Sequence, residues 1–215
     1  MRLPSVPSLK PFGLYGLLLA MLLRPAHGLP QGLYELSDVP LLPPYCKYAQ
    51  DFRDRVPGGN SPADIERWGS ILGPTFHHIH HYCYGLVATN RGNLKAKDQQ
   101  ERLRHLKASI GEFNYVIERA PADFSLLPEI LTKKGENLIK VDRAPEGVRA
   151  LEQAIELKAD YWPPYAYISD YYRNIGELTK AREQLESGLA NAPDAQPLKR
   201  RLASLANQKP KRATP

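Results

Sequence analysis

Apolar and small residues recur along the second half of this 215-residue chain at a fixed spacing of 34 positions. The size class of the side chain is kept in each of these pairs: Leu131 and Tyr165, Gly135 and Ser169, Leu138 and Tyr172, Gly147 and Ala181, Leu151 and Leu185, Ala154 and Gly188, Ala159 and Pro193. Such a period is typical of stacked supersecondary units that bury a core only against their neighbours. The pattern therefore predicts a repeat protein with an extended binding surface rather than an enzyme.

The residues at these positions resemble the tetratricopeptide repeat (TPR) family. Its first helix carries an aromatic residue, Leu-Gly and Tyr, and its second carries Ala, an aromatic residue and a closing Pro. The last copy fits at Tyr165, Ile168, Ser169, Tyr172, Ala181, Leu185, Gly188 and Pro193. The copy before it keeps the register, with Lys134 in place of Leu and no closing Pro. The resemblance implies an all-α, short right-handed solenoid with an irregular N-terminal cap and a C-terminal capping helix.

An earlier, modified copy is predicted over residues 73–121, with a long insertion between its helices. Its helices would carry Phe76, Ile79, His80 and Cys83, and then Ser109, Phe113, Val116 and Pro121. In this interpretation the first helix begins near Gly73, and His80 takes the small-residue position where the two helices cross. The remaining repeats are predicted at 128–161 and 162–195, followed by a capping helix at 196–207.

The two ends of the chain predict export and a basic tail. Residues 1–28 combine a basic start, an apolar run from Phe12 to Leu23 and the small-x-small site Ala26-His27-Gly28, as in a secretory signal peptide. We expect an exported, periplasmic protein without a membrane span after cleavage; retention of the segment as an anchor is the alternative. Residues 29–72 are rich in Pro and Gly and predict a non-repetitive cap, while residues 208–215 predict a disordered basic tail.

Charge and motifs narrow the classes of function. The whole chain has 29 basic and 23 acidic residues. Loss of Arg2, Lys10 and Arg24 with the signal peptide would leave 26 basic residues against 23 acidic ones, a net charge of +3. This small net charge does not indicate a nucleic acid partner. The sequence contains no nucleophile elbow, phosphate-binding glycine loop or metalloprotease helix motif, so we expect no enzyme activity.

Four of the six histidines lie together at 77–81. On a helix, His77 and His81 would project from one face, the arrangement that offers two ligands to zinc, copper or nickel. His78, His80 or His105 could supply a further ligand. Binding of a haem is a second possibility, although no Cys-x-x-Cys-His occurs for covalent attachment. The alternatives are a pH-dependent partner surface and plain hydrogen bonding and packing.

Cys46 and Cys83 are the only cysteines of the chain. An even count in an exported chain favours a disulfide, which would fasten the N-terminal cap to the first repeat. A thiolate metal ligand at Cys83 and two buried thiols are the alternatives.

The TPR resemblance also implies a peptide groove on the first helix of each repeat, where it predicts a protein or peptide partner. If the register holds in the first copy, His77 and His81 also face this groove. Carried over by register, the groove residues are Glu129, Thr132, Glu136, Ile139, Lys140, Pro163, Ala166, Asp170, Arg173 and Asn174. The aromatic stretch from Tyr161 to Tyr172 could pack between repeats or, at Tyr161, Trp162 and Tyr167, anchor a partner.

Overall fold

The structure is a computed structural model that describes residues 33–206. The predicted signal peptide and basic tail lie outside these residues. The described part of the chain is built from helices, with no β-strand. Its α-helices are α1 (Pro62–Leu72), α2 (Ile79–Asn90), α3 (Gln99–Ile117), α4 (Leu127–Lys140), α5 (Ala144–Leu157), α6 (Pro163–Asn174), α7 (Leu178–Asn191) and α8 (Gln196–Ala206). The expected all-α helical-repeat fold is confirmed, because consecutive helices pack against each other in pairs.

The period of 34 residues appears directly in the helix boundaries. Helices α4 and α6 end at Lys140 and Asn174, and α5 and α7 span equivalent residues. The turns between them are equivalent too, because Asp142 has φ 63° and Gly176 has φ 88°. A left-handed residue reverses the chain sharply in both copies, at little cost for Gly and a tolerable one for Asp. One local geometry therefore builds both helical pairs.

Small residues set how closely the paired helices approach. A Cβ atom added to Gly147 would lie 2.7 Å from the carbonyl oxygen of Gly135, so the backbones of α4 and α5 are nearly in contact. In the next pair the equivalent residues are Ser169 and Ala181, and both are buried. The sequence period therefore marks the crossing points of the helices.

The first pair, α2 and α3, crosses at a residue different from the one predicted. A Cβ atom on Gly85 would collide with the ring of Phe113, as one on Gly135 would collide with Leu151. Gly85 therefore takes the crossing position, and the assignment of His80 to it is wrong. The cause is the 3₁₀ helix Gly73–His78, which delays the start of α2 to Ile79. A 3₁₀ helix has fewer residues per turn than an α-helix. An α-helical wheel drawn from Gly73 therefore does not give the directions of the histidine side chains.

The insertion in this pair follows α2. A π-helical turn, Arg91–Lys95, continues α2 before α3 begins at Gln99. On α3, Ser109, Phe113 and Val116 are fully buried, as the repeat pattern requires.

Residues 33–61 form an irregular cover that packs against α2. It contains two 3₁₀ helices, Leu36–Leu41 and Pro44–Tyr48. Tyr34 stacks on Phe52 with ring centroids 4.0 Å apart, and both rings lie near Tyr84 of α2. This part of the chain, called the N-terminal cover below, buries one side of the first repeat.

At the other end α8 packs on α7 and α6, with Leu198 and Leu205 buried. Residues 33–206 include no helix that is both long and apolar enough to cross a bilayer.

Candidate functional site

A cleft of about 270 Å³ lies between the first helices of the last two repeats. Helix α4 contributes Glu136, Ile139 and Lys140 to its wall. Helix α6 contributes Tyr167, Asp170, Tyr171, Arg173 and Asn174. Each helix presents residues about one turn apart, so charged and aromatic side chains line the cleft from both sides. We refer to it as the α4–α6 cleft.

Ion pairs hold the charged side chains of this cleft in place. Lys140 Nζ lies 2.6 Å from Glu136 Oε1, and Arg173 lies 3.2 Å from Asp170. Arg201 of α8 reaches the other oxygen of Asp170 at 3.1 Å. These side chains are between one-tenth and one-third exposed, so their charges are less screened than charges on an open surface. The cleft therefore presents both signs of charge at fixed positions.

Tyr167 lies beside Glu136 between the two helices. Its burial and the negative charge of Glu136 raise the pKa of the phenol above its ordinary value. The hydroxyl is therefore protonated at neutral pH and keeps its donor hydrogen.

Six of the ten residues predicted for the groove line the cleft: Glu136, Ile139, Lys140, Asp170, Arg173 and Asn174. Thr132 and Ala166 do not face solvent, since each is at most 2% exposed. The Thr132 hydroxyl donates to the Pro128 carbonyl one turn earlier, and Ala166 packs in the apolar cluster around Tyr165. The prediction that these two residues contact a partner is therefore wrong for this conformation.

Two contributions to the cleft went unrecognised in the sequence. Tyr171 has no groove position in the repeat register, and Arg201 of α8 contributes through its contact with Asp170. Adding 34 to the bounds of α6 leads to α8, so Arg201 aligns with Tyr167. The alignment of repeats does not show which side chains meet across helices, and it therefore does not predict the contact of Arg201 with Asp170.

The N-terminal cover occupies the equivalent surface of the first repeat. With Gly85 aligned on Gly135, the α2 residues that correspond to Glu129, Thr132 and Glu136 are Ile79, Tyr82 and Leu86. All three are buried in one apolar cluster with Tyr45, Cys46 and Phe52 of the cover. The groove face is therefore covered at these three positions of α2, whereas it is open between α4 and α6.

Glu129 lies where the cover meets α4. The Tyr82 hydroxyl donates to Glu129 Oε1 at 2.6 Å. Burial, with the charge of Glu129, raises the pKa of the Tyr82 phenol and raises that of Tyr161 to about 12. Glu129 is therefore held by the Tyr82 hydroxyl of α2, and it does not line the α4–α6 cleft.

The histidines are spread over several environments. His81 Nδ1 lies 2.7 Å from Glu112 Oε2, and its ring stacks on Tyr115 with centroids 3.6 Å apart. These partners belong to α3, so His81 packs between α2 and α3. The prediction that it faces the groove is therefore wrong. His77 is exposed on the 3₁₀ helix and meets His78 edge to face.

Burial lowers the pKa of three histidines, so each favours its neutral form. For His80 the charge of His81 adds to the effect, for His78 that of His77, and for His105 that of Arg104. His80 is 8% exposed.

Among residues 33–206, no three or more His, Cys, Asp or Glu side chains are grouped so that they could hold a metal ion. Zinc, copper, nickel or haem at His77, His78, His80, His81 or His105 stays a prediction.

Cys46 of the N-terminal cover and Cys83 of α2 are joined in a disulfide, with their Cα atoms 5.7 Å apart. Neither is therefore a thiolate ligand or a free thiol in this structure. The bridge closes a segment of 37 residues, which stabilises the folded chain by about 3–4 kcal/mol in the chain-entropy model. It holds the cover on the first repeat.

The fold is similar to that of a solved TPR protein. The crystal structure of a thermophilic TPR protein from Thermus thermophilus superposes with a TM-score of 0.54 and 16% sequence identity. The match covers 68% of this chain and 71% of that one. At this identity the likeness shows a TPR-like helical fold. Neither a protein-family model nor a curated protein sequence matches the chain.

Proposed function

We propose that this protein is a non-enzymatic scaffold that binds an extended segment of a partner protein in the α4–α6 cleft. The observation that carries the proposal is the meeting of six predicted groove residues in one accessible cleft. Residues far apart in sequence share this surface because the repeats stack. The TPR-like fold supports the assignment, because stacked repeats form extended concave binding surfaces.

The chemistry of the cleft suits a peptide of mixed charge. Lys140 and Arg173 can donate charge-assisted hydrogen bonds to acidic side chains, and Glu136 and Asp170 can accept them from basic ones. The Asn174 amide can pair with a peptide backbone, since it both donates and accepts. Tyr167 and Tyr171 add aromatic contact area, which is common at interface centres.

We further propose that the protein is exported, to the periplasm in a Gram-negative source, and acts there in assembly or maturation at the cell envelope. The Cys46–Cys83 disulfide supports export, because such bridges persist in oxidising compartments. The predicted signal peptide supports the same location.

Selection of peptides from a random phage-displayed library on the full-length protein tests the binding function. We expect selected peptides to lose about tenfold or more in affinity to an Arg173→Ala/Asn174→Ala variant, since charged hydrogen bonds are removed. The variant should fold, because Asp170 keeps its contact with Arg201. Arg182→Ala on α7, an exposed residue outside the cleft, is the matched control. Peptides that bind both variants as they bind the parent would place the interface elsewhere.

A further inference from the structure

A second cleft, of about 400 Å³, lies beside the N-terminal cover and shares no residue with the α4–α6 cleft. The cover contributes Gln50 and Arg53, α1 contributes Ile65 and Gly69, and the 3₁₀ helix contributes Gly73, Pro74, Phe76 and His77. Its volume falls within the range of small-molecule sites, about 300–1,000 Å³. We refer to it as the cover cleft.

The walls of the cover cleft are mostly apolar. Ile65, Pro74 and Phe76 line it with carbon atoms, which favour an apolar ligand body that leaves water. Two glycines leave the space open. A Cβ atom on Gly69 would touch only the Phe76 ring, at 3.7 Å, and one on Gly73 would meet nothing within 4 Å. Larger side chains at these positions would fill volume that the packing leaves empty.

The polar groups of the cover cleft are donors suited to an anion. Arg53 carries a permanent positive charge, the Gln50 amide donates, and the His77 ring carries an N–H donor. The carboxylate that pairs with Arg53 is that of Asp54, whose Oδ1 lies 3.9 Å from Arg53 Nε. The Arg53 side chain is 41% exposed and that of Asp54 is 67% exposed. A pair so long and so exposed is weak, so a ligand carboxylate can replace it. Asp51, in the same loop, is engaged by the Tyr84 hydroxyl at 2.8 Å.

We propose that the cover cleft binds a small monocarboxylate with an apolar body, its carboxylate on Arg53 and its hydrocarbon against Ile65 and Phe76. A bidentate contact between guanidinium and carboxylate combines charge and geometry in a way that a neutral headgroup cannot. The site belongs to the non-repetitive part of the chain and does not depend on peptide binding at α4 and α6.

Titration of the isotope-labelled full-length protein with sodium hexanoate, followed by two-dimensional amide NMR, tests the proposal. We expect saturable shifts of the amide signals of Gly69, Gly73 and His77, and at least about tenfold weaker binding of hexanamide. Equal binding of the two compounds would overturn the role of the carboxylate. An absence of saturable shifts at these residues with hexanoate would overturn the site itself.

Two kinds of variant test the charge of Arg53 and the open space of the cover cleft separately. Arg53→Gln should weaken hexanoate binding about tenfold and leave hexanamide binding unchanged, because only the charged contact is lost. Arg67→Gln makes the same charge change on α1 outside the cleft and should bind like the parent. Gly69→Leu should abolish binding by filling the cavity, whereas Gly69→Ala should retain it. Parent-like hexanoate binding by Arg53→Gln or Gly69→Leu would contradict the proposal.

Discussion

Asp38 shows how a single residue holds the N-terminal cover in place. Its carboxylate, 2% exposed, accepts hydrogen bonds from Arg91 at 2.7 Å, from Lys95 at 2.8 Å and from the Glu35 amide. Burial acts to raise the pKa of Asp38, but these donors outweigh it, so the pKa lies below its ordinary value. The cover is thereby tied to the π-helical turn that follows α2.

The lowered pKa of Asp38 gives a stability contribution with a definite pH dependence. The folded state binds a proton on this group less readily than the unfolded chain does. The contribution is therefore complete above the unfolded pKa, about 4, and is lost as the pH falls through the folded value. Between pH 7 and 5 this group should not change the free energy of unfolding.

We expect Asp38→Asn to lower the free energy of unfolding by about 2–3 kcal/mol at pH 7, because charged hydrogen bonds are lost. The difference from the parent should shrink as the pH falls below about 4, where Asp38 becomes protonated first in the unfolded chain and then, at lower pH, in the folded state. Urea unfolding followed by circular dichroism, at a series of pH values, measures both effects. Asp123→Asn, at an exposed position, is the control. A difference from the parent that is independent of pH would contradict the ionic role.

At the scale of elements, the helical pairs are set by the residues that allow close approach. Gly147 on α5 faces the Gly135 carbonyl oxygen of α4, and a backbone atom cannot rotate away as a side chain can. Gly111 on α3 has open space at its Cβ position and no packing role. Both glycines are helical, Gly147 in the first turn of α5 and Gly111 in the interior of α3, and their surroundings are opposite.

We therefore expect opposite results from the same substitution. Gly147→Ala should lower the free energy of unfolding by about 1–3 kcal/mol, because the helices must separate. Gly111→Ala should raise it by about 0.5–1 kcal/mol, because Ala favours the helix and meets nothing. Thermal and urea unfolding of both variants measure the difference. Stabilisation of the protein by Gly147→Ala would show that the α4–α5 crossing is looser than described.

The sequence predicted these elements where the period was intact. The repeat of sizes from Leu131 to Pro193 identified the α4–α7 pairs, because buried crossings constrain size at fixed intervals. It misplaced the first crossing, since Gly73-Pro74 introduces a 3₁₀ turn that changes the angle between successive side chains.

Exposure within the site was predicted less well than helix register. Lys140 and Arg173 line the cleft, but Thr132 and Ala166 are buried. Such burial depends on which side chains meet across helices, and a helical wheel contains no information about them. The same limit applies to Arg201, which reaches the cleft from α8.

At the scale of the whole molecule, the cover shares one apolar core with the first repeat and is also joined to it by the Cys46–Cys83 bridge. The cover buries Ile79, Tyr82 and Leu86, whose counterparts in the second repeat include groove residues. The bridge therefore stabilises the fold and, by holding the cover on α2, shortens the open groove.

We expect a Cys46→Ala/Cys83→Ala variant to lose about 3–4 kcal/mol of unfolding free energy. Hydrogen exchange should rise first in the cover and on the α2 face beneath it, while α6 to α8, which the bridge does not enclose, stay protected. Urea unfolding and exchange measured by mass spectrometry give the two readouts. Reductant should reproduce the loss in the parent and have no effect on the variant. Unchanged exchange in the cover would mean that packing alone retains it.

The bridge also determines how the protein responds to mechanical tension. A force applied between Tyr34 and Leu205 would pass from Cys46 to Cys83 through the covalent bond, and the residues between them would carry no load. About 130 Å of chain, at roughly 3.6 Å for each of 37 residues, is thereby withheld from extension. The helical pairs beyond Cys83 would unravel under load, while the loop that contains α1 would extend only after reduction.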